Sequence, residues 1–127
     1  MTLVTRPQPA RWDAFGIVRD LARAWPDVEA GTKYDGSPVL KCHRCFMAGM
    51  AVPPAADPDT LVVRIDPEAR QWLLEDAPDT YYLTDYHERH PVVLVRLAQI
   101  DREALRDLLA MARRETLRKA GRSAGDP

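Results

Sequence analysis

The sequence predicts an α+β fold, a two-layer α/β sandwich in which an antiparallel sheet carries its helices on one face. Three observations lead there. Apolar residues recur at helical spacing near both ends of the chain. Two separate segments each read as a strand that runs into a capped helix. The strands between are joined by hairpin-like connections, which suit antiparallel neighbours.

Phe15, Val18, Leu21, Ala22 and Trp25 fall on one arc of a helical wheel, with Asp13, Arg19, Asp20 and Arg23 opposite, so a helix is expected over residues 12–25. Pro26 ends it, because proline disfavours helical backbone in the residue before it. Residues 31–38 are rich in turn formers and read as a loop with at most a short extended piece. Val39–Cys42 and Cys45–Val52 flank His43-Arg44 and form a hairpin whose turn type stays open, since this dipeptide is not a favoured two-residue turn. Residues 53–59 are a surface loop by composition.

Leu61–Asp66 leads into one helix and Val93–Asp101 into another, with Asp66 and Asp101 as N-caps and Pro67 at a first helical position. Between them, Asp79–Thr84 is β-prone and closes through a polar loop, Asp85–His90, into a second hairpin. The last helix should bury Leu105, Leu108, Leu109 and Ala112 and turn Arg114 and Arg118 outward. Trp12, Trp25 and Trp72 sit on expected helices and should pack against the sheet.

With 127 residues, the chain has room for one core. The expected organisation is a tail over 1–11, a single domain over 12–119 and a frayed tail over 120–127. A formal net charge of −1 excludes a strong whole-molecule attraction to nucleic acid or anionic membrane, so any basic site must be local. One local concentration lies near the C-terminus, where Arg113, Arg114, Arg118, Lys119 and Arg122 face only Glu115. The N-terminal residues lack a secretory signal's apolar run, and no run is long enough to span a bilayer, so a cytoplasmic protein with reduced cysteines is expected.

The helix ending in Trp-Pro-Asp-Val-Glu, then Gly31-Thr-Lys-Tyr, Pro38 and Lys41 with Phe46-Met-Ala, resemble the first half of MmcQ/YjbR-like proteins. Tyr82-Leu-Thr-Asp, a His/Tyr/Arg-rich loop, Pro91, Val93-Leu-Val-Arg-Leu and Asp101-Arg-Glu-Ala-Leu-Arg-Asp-Leu-Leu resemble the second. The resemblance covers residues 12–119. It implies a secretion-chaperone-like (YjbR-like) fold, described as a double-wing DNA-binding motif, with no established catalytic reaction or cofactor. The sequence departs from the family at Cys42-His-Arg-Cys45, where a polar, often glycine-containing turn is expected.

Strand alternation puts Val62 and Arg64 on the same sheet face as Val92, Leu94 and Arg96, and Lys41 shares that parity with Val39. Lys41, Arg64 and Arg96, with Arg44 and Arg89 on adjacent hairpin tips, are the candidate phosphate contacts. The structural alternative is that these charges solvate an exposed face and block edge-to-edge association. Tyr81, Tyr82 and Tyr86 could stack on bases or fill a core edge.

Cys42 and Cys45 with His87 and His90 offer the ligand types of a tetrahedral zinc site, although the 41 residues between the pairs exceed compact zinc-finger spacing. A redox reading of Cys42-His-Arg-Cys45 is the weaker alternative, since thioredoxin-type sites place Cys-x-x-Cys at a helix N-terminus and this pair lies in a strand context. No glycine-rich elbow supports a nucleophile, so no enzyme is expected. The expected function is non-enzymatic DNA binding through the arginine-bearing face. The alternative is a protein-interaction or homodimerising module using that same face.

Overall fold

The structure, a computed structural model, describes residues 12–52 and 56–121. The expected N-terminal tail, residues 53–55 of the Pro-rich loop and the stretch from Arg122 onward lie outside them. The elements run α1 (Phe15–Ala22), β1 (Val28–Thr32), β2 (Pro38–Cys42), β3 (Cys45–Met50), β4 (Thr60–Arg64), α2 (Pro67–Asp76), β5 (Tyr81–Tyr82), α3 (Asp85–Glu88), β6 (Val92–Arg96) and α4 (Arg102–Lys119). The strands form one sheet in the order β1-β2-β3-β4-β6-β5, with every neighbouring pair antiparallel.

The α1 helix is shorter than its apolar arc suggests. Its continuation tightens into three-residue bonds, with Arg23, Ala24 and Trp25 amides donating to the Asp20, Leu21 and Ala22 carbonyls ahead of Pro26. The expected caps on the later helices are present: Asp66 accepts from the Ala69 amide at 2.9 Å and Asp101 from Ala104 at 2.8 Å.

One sheet face presents Leu40, Ala48, Met50, Leu61, Val63, Val93 and Val95. These share a core with Phe15, Val18 and Leu21 of α1, Leu73 of α2, and Leu105, Leu108, Leu109 and Ala112 of α4. Each large side chain moved out of water there contributes about 1.5–3 kcal/mol. The expected two-layer arrangement is therefore observed.

Three local readings change. Residues 28–32 form an edge strand that takes in Gly31 and Thr32, the first residues of the stretch read as a loop with at most a short extended piece. Asp85–Glu88 forms one helical turn, because Thr84 Oγ1 caps it by accepting from the His87 amide at 3.2 Å. Trp72, expected against the sheet, is 63% exposed on α2. The open question at His43-Arg44 is also answered. Both residues adopt left-handed backbone, φ 51° and 68°, the signature of a type I′ turn, whose twist matches that of the strands it joins.

Candidate nucleic-acid interface

On the face away from α1, α2 and α4, the register brings Thr60 opposite Arg96, Val62 opposite Leu94 and Arg64 opposite Val92. Arg64 and Arg96 thus share a face, as alternation predicts. They stand at opposite ends of it, about 13 Å apart along the strands. Lys41 pairs with Phe46 on β3, and Glu29 sits directly across from it on β1. Arg44 is exposed at the β2–β3 turn, and Arg89 is exposed at the end of α3.

The local partners of these cations differ. Arg96 is committed to structure. Its Nε donates to Asp57 Oδ2 at 3.2 Å and its Nη1 to the Asp79 carbonyl at 3.1 Å. Its guanidinium also lies 4.0 Å from the centroid of the Tyr82 ring. Tyr82 is held in turn: its hydroxyl accepts from the Asp57 amide at 3.0 Å and lies 2.7 Å from Thr60 Oγ1. Arg64 is different. Its Nε donates to the Phe46 carbonyl at 2.8 Å, and no carboxylate among the described residues lies within ion-pair distance of it.

Arg64 lines a groove of about 580 Å³ together with Lys33, Tyr34, Phe46, Val62, Tyr86 and His90. The β1–β2 turn supplies one wall, β3, β4 and β6 the floor, and α3 the other wall. Gly49 makes the floor possible: a Cβ there would lie 3.1 Å from Phe46 Cε1 and 3.2 Å from Val39 Cγ2, so the Phe46 ring occupies the space a side chain would fill. The rings of Tyr34 and Tyr86 are exposed, at 103% and 67%. Asp35, the acid on this lining, is turned into its own turn, accepting from Ser37 N at 3.0 Å and Ser37 Oγ at 2.6 Å. Those bonds hold its carboxyl below the usual range.

The α3 wall is anchored from outside. Arg70 Nη1 donates to the His90 and Val92 carbonyls at 2.7 and 3.1 Å. His87 is buried in this wall with Nδ1 2.7 Å from Thr84 Oγ1. Burial, and secondarily the neighbouring His90, push its pKa below the ordinary value and favour a neutral ring. His90 tilts against Tyr86, ring centroids 4.9 Å apart.

The two cysteines are free and paired across the β2–β3 turn. The His87–His90 pair lies instead in the groove wall. Among the described residues, the ligand-type side chains clustered around Cys42 are Asp27 and His43, not the two α3 histidines. In the basic C-terminal stripe, Arg113 grips Asp27 and Arg118 grips Glu115, each through two hydrogen bonds. Sequence reasoning missed Lys33 and Tyr34 as groove residues. Their turn-forming neighbourhood gave no sign that it would fold beside α3.

No protein-family model matches the chain, and no curated protein sequence matches it. Its fold is similar to that in the crystal structure of the Deinococcus radiodurans protein DR2400, described as having a DUF419 domain. The TM-score is 0.64 at 20% identity, covering 81% of this chain and 78% of that one. The architecture is thus that of a DUF419-like α+β domain. Among the described residues, no helix is long and apolar enough to cross a membrane.

Proposed function

We propose that the chain is a member of the MmcQ/YjbR-like (DUF419) family and binds DNA without catalysing a reaction, using the groove beside Arg64. One observation carries this reading: Lys33 and Arg64 share a groove with the accessible rings of Tyr34 and Tyr86. Cations attract phosphate oxygens whatever the sequence, and aromatic faces stack on unpaired bases at about 1–3 kcal/mol per base. The combination suits single strands or locally opened duplex better than intact duplex. Lys41, Arg44 and Arg89 would extend the phosphate track beyond the groove, and Arg96 would contribute little.

The alternative module docking a protein on the same sheet face has weaker support. Of the apolar residues of that face, Val92 and Leu94 are buried and Val62 is only partly exposed, which leaves little apolar surface for a partner. Burial raises the Cys42 thiol to about 11, which argues against that thiol as a nucleophile.

The test is fluorescence anisotropy with labelled single-stranded and duplex DNA at rising salt, on the parent protein, Arg64→Ala and Tyr34→Ala/Tyr86→Ala. The expected result is saturable binding that weakens steeply with salt, favours single strands and drops about tenfold in either variant. An absence of saturable binding at low salt would overturn the proposal.

A further inference from the structure

The Cys42–Cys45 turn lies on the opposite side of β2 and β3 from the groove, and its chemistry is separate. Cys42 faces the core side, and Asp27, Cys42 and His43 each offer a ligand atom within 4.8 Å of the other two. His43 Nε2 stands 3.9 Å from Asp27 Oδ2. In a tetrahedral zinc site with metal–ligand bonds of about 2.0–2.3 Å, neighbouring ligand atoms are about 3.3–3.8 Å apart. Small side-chain adjustments therefore bring these three to coordinating distance.

The fourth ligand is at hand. Cys45 is the direct register partner of Cys42 across the two-residue turn, half-buried and free. Its sulfur stands outside the Asp27–Cys42–His43 cluster, so coordination would require the Cys45 side chain to turn toward Cys42. We propose that Cys42, His43, Cys45 and Asp27 form a binding site for a thiophilic divalent cation of the zinc class.

Two features support a built site over a chance meeting of side chains. Arg113 fixes the Asp27 carboxylate through Nε and Nη2, at 2.9 and 2.8 Å, as outer partners fix metal-bound carboxylates. The charges also balance. Binding expels the thiol protons of Cys42 and Cys45 to solvent, and the resulting two thiolates with the Asp27 carboxylate are matched by the divalent ion and the Arg113 guanidinium. A neutral ensemble of this kind is what a partly buried location tolerates. The exposed imidazole of His43 at the turn would give the ion its way in.

The test uses the full chain, reduced, stripped with chelator and titrated anaerobically with Co²⁺ as the probe, with Zn²⁺ as competitor. The expected result is thiolate-to-cobalt charge-transfer absorption with tetrahedral ligand-field bands, saturating near one ion per chain and abolished by Zn²⁺. His43→Asn, which tolerates the left-handed turn, should weaken binding about tenfold or more. Cys45→Ser should roughly halve the charge-transfer intensity, and His87→Ala/His90→Ala should leave the titration unchanged. Because His43 and Cys45 lie at or beside the turn, these variants test the site even if Cys42→Ser does not fold. Absence of the charge-transfer band at excess Co²⁺, or parental affinity in His43→Asn, overturns the proposal.

Discussion

Arg113 of α4 holds Asp27, at the entrance to β1, in a bidentate ion pair across 86 positions of sequence. The pair ties the last helix to the edge of the sheet. The Arg113 hydrogen bonds lower the Asp27 pKa from its usual 3.8 against the opposing effect of burial. A depressed carboxylate stabilises the fold above its unfolded pKa, and that contribution is lost as pH falls through the folded value. Asp27→Asn should therefore lower stability by about 1–3 kcal/mol at neutral pH and flatten the loss of stability below about pH 4. Urea unfolding measured across pH checks both.

His87 gives a second pH dependence with a different window. Its folded pKa is depressed below the ordinary 6.5, so the unfolded chain binds the extra proton first. Stability should fall as pH drops below about 6.5 toward the folded pKa. Replacing His87 with Asn should remove that part of the acid sensitivity, read as a smaller shift in the urea midpoint between neutral and mildly acid buffer. Thr84→Ala, which deletes the α3 cap, should cost about 1 kcal/mol.

Arg64 and Arg96 should separate cleanly in paired measurements. Arg96→Ala removes two hydrogen bonds and a cation–π contact, so it should cost about 1–3 kcal/mol in unfolding experiments with little effect on DNA affinity. Arg64→Ala should do the reverse. Equal loss of DNA affinity in both would mean that the whole sheet face, rather than the groove, carries the contact.

At Gly49 an added Cβ would be tight, 3.1 Å from the Phe46 ring and 3.2 Å from Val39 Cγ2, so both neighbours would have to give by a few tenths of an ångström. Gly49→Ala would force the Phe46 ring or Val39 to move, and the expected destabilisation is about 1–3 kcal/mol. Since Phe46 is groove floor, the same variant should also weaken DNA binding by anisotropy.

The large features of this fold were legible because burial writes itself into residue spacing. Val62/Arg64 and Val92/Leu94/Arg96 show which face is which, and Asp66 and Asp101 mark helix starts through a chemistry local to four residues. β1 was not legible. Four of its five residues are exposed, so no alternation betrays it, and it is a strand because β2 offers it a ladder. The one-turn α3 rests on a single threonine cap, too short a signal to distinguish from a loop. At the candidate site, residue types were readable but partnerships were not. Nothing near Arg96 in sequence announces Asp57, and nothing near Asp27 announces Arg113.

The left-handed His43-Arg44 turn also bears on how the chain reaches its native state. β2 and β3 can zip from a two-residue loop in about 1–10 μs, whereas β4 finds β6 only after α2, β5 and α3 have been laid down between them. The hairpin is thus the natural early nucleus and the β4–β6 seam the late closure. Changes at the turn should slow folding, while changes at the seam should chiefly hasten unfolding.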